Sequence, residues 1–323
     1  MTRKRLLIFL LVFLAFSLLF LFVNRDSFLE KKSSNPYEIS VIIRGKSTES
    51  WTTIRQGIDQ AAKDMNVEVS FVALSAENNS QEQVTLMQRE INNGASAIVI
   101  APANPDVLKD TIVKAQKSVP VVTMQSTVDS IKNLPNVSCD NYGLGQALAK
   151  KLVLVSQRNG RIAILRNSMG CSNIRQRFQG ILSELGENNG DIEYWDMPDD
   201  PQEAYETAKT QLRSSKAETV IAMDGATLEA VGRAQRDLMK TTARRVQIFG
   251  LGRTNTVVSL LEEQVINSIG VENEYNLGYL SIQSAVNHIN KKQDLNRVIN
   301  FAIVDHDNMY NSDNQRLLFP FVR

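Results

Sequence analysis

Two histidines, His288 and His306, and two cysteines, Cys139 and Cys171, are all that a chain of 323 residues offers of those types. Neither pair has the spacing of a metal or redox site, and no nucleophile elbow is present, so the residues are not arrayed for metal-assisted or nucleophilic catalysis. Whether the cysteines pair is not legible from their positions. Gly143-Leu-Gly145 and Gly250-Leu-Gly252 lack the third glycine of a dinucleotide fingerprint and read as tight strand-to-helix turns, so no cofactor is assigned. What remains is binding chemistry. Arg44, Arg253 and Glu272 each fall at the end of an expected strand, and open α/β sheets take ligands at the carboxyl ends of their strands.

The elements that would position such residues alternate along the chain. Residues 94–106 set the pattern: Ile98 to Ala101 form an unbroken apolar run, as expected of a parallel strand covered on both faces, and Asn104-Pro105 opens a helix as cap and first residue. Before it lie strand 39–43, a helix carrying Trp51, Ile54, Ile58 and Ala61 as one stripe, strand 67–72, and a helix opened by a capping box at Ser80 to Gln83. A fourth strand spans 119–123. The alternation then restarts with helices 141–156, 172–185, 201–214, 226–239 and 255–263 between strands 161–165, 192–195, 219–223, 246–249 and 266–270. A helix over 274–290 and a strand over 298–304 follow, ahead of a polar tail. Two similar α/β halves with parallel sheets are predicted, and the chain crosses back between them.

Residues 6–23 are uncharged and follow Arg3-Lys4-Arg5, which predicts a single-pass transmembrane helix with a cytoplasmic N-terminus. A cleaved signal peptide would have a shorter apolar core and a cut site with small residues. Residues 24–36 are mostly polar and read as a tether, placing the rest of the chain outside the cell membrane. The net charge of +1, from 36 basic and 35 acidic residues, gives no footprint for nucleic acid.

Over about residues 37–323 the chain resembles the type I periplasmic sugar-binding proteins, the ribose- and xylose-binding group whose fold is shared by the ligand domains of lactose-repressor-like regulators. The resemblance is carried by Trp51-Thr-Thr-Ile-Arg-Gln-Gly-Ile, the 94–105 stretch, Val119-Pro-Val-Val-Thr, Cys139-Asp-Asn-Tyr-Gly-Leu-Gly, Arg175-Gln-Arg-Phe-Gln-Gly and Asn276-Leu-Gly-Tyr, in that order. It implies two Rossmann-like domains, 37–138 with 273–299 and 139–272 with 300–323, joined by a three-strand hinge and closing on a ligand. It also implies site positions: Trp51 where the family stacks an aromatic on the sugar, Gln125 and Ser126 after the fourth strand, Arg175 at a helix start, and Asp224 after a strand. Trp51 also begins an apolar stripe, Arg175 would equally suit a solvated helix face, and Asp224 would equally cap a helix. The family usually has an acidic-basic pair where this chain has Gln125-Ser126, and an aspartate where it has Gly252. Arg44, Arg253 and Glu272 are positioned to compensate.

A regulator of this fold would carry a DNA-binding helix pair where this chain has its apolar run. The anchored form, with Asp307-Asn-Met-Tyr and Gln315-Arg-Leu-Leu-Phe-Pro near its end, resembles binding proteins that partner membrane histidine kinases in two-component systems. The expectation is a non-enzymatic sensor of a small carbohydrate. The alternative is the substrate-binding component of an ABC sugar importer, partnered by a permease.

Overall fold

The computed structural model describes residue 13 and residues 36–46, 51–155, 160–186, 191–292 and 296–319. The chain divides at Pro36, and the fold that follows is that of Tyr37–Arg323. The predicted membrane span 6–23 lies, Phe13 apart, outside the described residues. No helix among the described residues is long and apolar enough to cross a membrane.

The first lobe contains β1 (Glu38–Ile42), α1 (Thr52–Met65), β2 (Glu68–Val72), α2 (Ser80–Asn92), β3 (Ala97–Ile100), α3 (Pro105–Ala115), β4 (Val121–Met124) and β5 (Asn136–Cys139). The second contains α4 (Asn141–Val155), β6 (Ile162–Arg166), α5 (Ser172–Leu185), β7 (Ile192–Asp196), α6 (Pro201–Ser214), β8 (Thr219–Ala222), α7 (Gly225–Met239), β9 (Gln247–Leu251), α8 (Asn255–Glu262) and β10 (Ser268–Glu272). Helix α9 (Glu274–Ile289) and β11 (Asn296–Ile299) return to the first lobe, and β12 (Phe301–Asp305) and α10 (Ser312–Leu318) belong to the second.

The first sheet has the order β11-β5-β4-β3-β1-β2 and is parallel throughout. The second has the order β12-β10-β9-β8-β6-β7, parallel except where β12 runs antiparallel to β10. All four residues of β3 are buried, and Asn104 accepts from the amides of Asp106 and Val107 with Pro105 in the first turn, as its sequence requires.

Three expectations are corrected. The strand expected over 298–304 is two strands in different sheets, broken at Asn300, whose carbonyl accepts from the Asn273 amide. The start of α2 is capped by Asn79, which accepts from the Glu82 amide, not by Ser80. Gln83, freed from that role, is wholly buried; its amide donates to the carbonyls of Ile43 and Ala101 and its oxygen accepts from Ala103, tying together the ends of β1 and β3. The polar tail contains the short helix α10.

One apolar cluster runs from Ile43, Trp51, Ala101 and Met124 of the first lobe into Cys171, Ile174, Met223 and Leu251 of the second, so the lobes stand closed on each other. Hydrogen bonds cross the same junction: Ser126 Oγ to Asn173 Oδ1 at 2.8 Å, the Thr127 amide to Ser172 Oγ at 2.8 Å, and Asn78 Nδ2 to Ser168 Oγ at 2.9 Å.

Candidate functional site

Four elements deliver charged side chains to the junction of the lobes. Arg44 follows β1, Asp224 follows β8, Glu272 ends β10, and Arg177 projects from the first half of α5. Arg177 is 5 % exposed and sits between Ile174 and Ile181 on the buried stripe of its helix. Its Nε donates to Asn141 Oδ1 at 2.8 Å, its Nη1 to the Met223 carbonyl at 3.1 Å, and its Nη2 lies 3.4 Å from Glu272 Oε1. A cation so placed in an apolar stripe is tolerable only because every face of the guanidinium finds an acceptor.

Arg44 Nη1 donates to Asn78 Oδ1 at 3.0 Å and lies 3.7 Å from the Cys171 sulfur. Burial by itself would lower its pKa, but Cys171 and the carboxylates of Asp224, Glu77 and Glu272 raise it, so the guanidinium is a fixed cation. Asp224 caps α7 through Oδ1, which accepts from the Thr227 amide at 2.9 Å. The cap role uses only half of the carboxylate. Asp224 Oδ2, Glu272 Oε2 and Arg44 Nε are all buried without a hydrogen-bond partner. Buried polar atoms are paired almost everywhere in folded proteins, so these two open acceptors and one open donor, on side chains that act electrostatically on one another, are exceptions.

Beside Glu272 stands Glu274, in the first turn of α9. Burial pushes its carboxyl up to about 8, the Glu272 charge adds to the rise, and Arg253, Arg177 and a hydrogen bond from Thr53 only partly oppose it. Arg253 Nε donates to the Leu318 carbonyl at 2.8 Å, Nη1 to Thr53 Oγ1 at 3.2 Å and Nη2 to Asn255 Oδ1 at 3.0 Å. It thereby joins α10 and the second lobe to α1 of the first.

The remaining sequence-derived positions have the following surroundings. Trp51 is 6 % exposed and belongs to the apolar cluster at the start of α1. Ser126 is committed to Asn173. Gln125 lines a cavity at the hinge together with Ser138 and Gln179. Arg175 turns back on the loop before its own helix, with Nη1 donating to the Gly170 carbonyl at 2.6 Å, and it is Arg177 that meets Glu272. Both Cys139 and Cys171 are free and buried, and burial raises both thiols. Trp195 is buried and donates to Glu193 Oε1, while the adjacent Tyr194 is exposed, with the Arg166 guanidinium over its ring. Among the described residues no group of three or more His, Cys, Asp or Glu is gathered as a metal site.

Gly252 explains one departure from the resembled family. Its φ is +109°, and a Cβ there would stand 2.5 Å from the Gly225 amide nitrogen, so no aspartate fits. The next residue, Arg253, reaches Thr53 of the first lobe.

Residues 39–293 match the model of the periplasmic binding protein domain. The chain belongs to that family. A xylitol-binding protein of Mycolicibacterium smegmatis is 28 % identical over 131 residues, which cover 39 % of this chain and 36 % of that one. The ribose import binding protein of Bacillus subtilis is 24 % identical over 146 residues, 45 % of this chain and 47 % of that one. The chain thus spans about half the length or less of the curated relatives it matches. Among solved structures, a carbohydrate transporter solute binding protein from Agrobacterium radiobacter, in complex with D-arabinose, superposes with a TM-score of 0.81 at 20 % identity, covering 88 % of this chain and 100 % of that one. A chain of the XylFII–LytSN complex superposes with a TM-score of 0.77 at 20 % identity, covering 84 % and 98 %. These likenesses establish the two-lobed periplasmic binding protein fold.

Proposed function

We propose that this periplasmic binding protein takes one small carbohydrate, of pentose or hexose size, between its lobes, and that it acts as a membrane-anchored extracytoplasmic sensor reporting to a membrane histidine kinase. The observation that carries the ligand class is the set of unpartnered buried atoms on Arg44, Asp224 and Glu272. A sugar hydroxyl donates and accepts at once, so a polyhydroxylated ring satisfies one open donor and two open acceptors together, which a simple anion or cation does not. Xylitol- and ribose-binding relatives support the same class. The sensor role is supported by the uncharged run 6–23 behind Arg3-Lys4-Arg5 and by the likeness to a chain of the XylFII–LytSN complex. Substrate delivery to an ABC importer is the second reading, favoured by the match to a ribose import binding protein.

Calorimetric titration with a panel of pentoses, hexoses and inositols tests the ligand. A saturable binding phase for at least one sugar is expected that Arg44→Ala removes. An absence of heat across the panel overturns the carbohydrate reading. Retention of the full-length protein by a membrane kinase, with sugar altering that retention, is expected of a sensor; retention by a permease alone supports import instead.

A further inference from the structure

A polar cavity of about 440 Å³ opens at the hinge. The first lobe lines it with Gln125, Thr127, Asn136 and Ser138, and helix α5 of the second lobe lines it with Gln176 and Gln179. The first crossover between the lobes, at Asp140 to Tyr142, forms part of the wall. The lining is almost wholly carboxamide and hydroxyl. Neither arginine nor lysine contributes, and the single carboxylate, Asp140, already accepts from the Gly143 amide at 2.9 Å.

Gln125 sits here in an unusual backbone conformation. Its φ is +60°, in the left-handed region that costs a non-glycine residue free energy unless its surroundings fix it. Those surroundings are present: the Gln125 amide donates to the Val137 carbonyl at 3.0 Å and its carbonyl accepts from Ser138 Oγ at 2.7 Å. The side-chain oxygen held in this way is buried and has no partner.

We propose that this cavity is a second binding site, specific for a small neutral polyol and occupied in the closed form. Its volume falls within the range of about 300–1,000 Å³ usual for ligand sites. An anion would meet Asp140 with no cation to offset it, and an apolar molecule would strand the amides of Gln125, Gln176 and Gln179. A polyol exchanges hydrogen bonds with side-chain amides that both donate and accept. Because the wall comes from both lobes, an occupant that touches Gln125 and Gln179 favours the closed form over any arrangement that separates them.

The cavity is also wired to the charged junction. Asn141, in the wall, donates through Nδ2 to Ser138 Oγ at 2.9 Å and accepts through Oδ1 from Arg177, whose Nη2 meets Glu272. Occupancy of the hinge cavity and of the charged site therefore bias one closure, and each strengthens the other by the same factor. The proposal does not depend on what the charged site binds.

Erythritol, a four-carbon neutral polyol, is the probe, and saturation-transfer NMR with the full-length protein is the readout. A signal that saturates with erythritol concentration is expected in the wild type and in Arg44→Ala, which disables the charged site alone. In the Arg44→Ala background it is expected to vanish on adding Gln179→Trp, where an indole on an exposed helix position fills the cavity without disturbing the core. Gln125→Gly removes the amide and relieves the left-handed backbone, so it folds at least as well and loses the signal. No saturable signal in the wild type, a signal that survives both hinge variants, or one that disappears in Arg44→Ala overturns the proposal.

Discussion

Arg177 and Arg175 are two residues apart on one helix and have opposite surroundings. Replacing Arg177 by alanine leaves the Glu272 carboxylate, the Met223 carbonyl and Asn141 buried without their partner, a situation that costs about 3–5 kcal/mol when a buried ion pair loses one member. Arg175→Ala removes bonds to the loop carbonyls of Met169 and Gly170 from a partly exposed site, worth about 1 kcal/mol. Urea midpoints should separate the two variants by that margin, and sugar binding should be lost in Arg177→Ala while Arg175→Ala retains it. Equal midpoints would remove Arg177 from the charged site. The sequence did contain the distinguishing signal: Ile174, Arg177 and Ile181 fall at helical spacing, so Arg177 is the charge on the buried stripe and Arg175 is not. Resemblance to a family motif pointed to the neighbouring arginine. The strand-end positions of Arg44 and Glu272 were legible from the apolar runs before them, and Asp224 was suggested by the family resemblance; Glu274 and Asn141 were not legible, because each lies at the start of a helix and acts through neighbours distant in sequence.

The elements explain how those residues are held. Helix α9 packs on α1 and helix α4 packs on α5 through glycines in matching register. A Cβ on Gly57 would stand 2.0 Å from the Tyr275 carbonyl, in the second residue of α9, and one on Gly180 would stand 2.1 Å from the Tyr142 carbonyl, in the second residue of α4. The reciprocal glycines, Gly278 and Gly145, meet the carbonyls of Ile54 and Arg177 at 2.0 and 2.3 Å. The two lobes thus repeat one helix contact, and Arg177 takes the place that Ile54 holds in the other lobe. Each crossover helix is thereby seated with its first turn at the junction, carrying Asn141 in one lobe and Glu274 in the other. Gly57→Ala adds helix propensity worth up to about 1 kcal/mol, yet it must push two backbones apart, and overpacking of that kind costs about 1–3 kcal/mol. A lower thermal midpoint is expected, and an unchanged or higher one would show that the helices part freely. Most helices were readable from caps and stripes: Asp200-Pro201 and Asn104-Pro105 start theirs as the residue types dictate. β5 was missed because Asn136-Val-Ser-Cys139 alternates polar with apolar over only four residues, and 298–304 read as one strand because nothing but Asn300 interrupts its apolar pattern.

At the scale of the whole molecule, the relation between the lobes was the least legible feature, since its contacts join residues far apart in the chain, as Arg253 joins Thr53 and Asn78 joins Ser168. That junction also carries a proton. Glu274 has an ordinary carboxyl pKa of 4.5 in the unfolded chain and about 8 in the folded one, raised first by burial and then by Glu272. Between those two values the folded form binds more protons than the unfolded form, so stability falls as pH rises. The contribution is fully present below 4.5, is lost progressively toward about 8, and is flat above that value. The slope for one group is at most about 1.4 kcal/mol per pH unit. Arg253 and Arg177 face the same carboxyl and only partly oppose the rise, so they set the position of the window rather than its direction. Glu274→Gln keeps the shape and removes the titration. Urea denaturation at several pH values from 5 to 8 should show wild-type stability declining relative to this variant, with the variant the more stable of the two at pH 8. Parallel curves would mean that Glu274 is ionised in the folded protein across the whole range, and that the closed junction holds two adjacent carboxylates against the three arginines.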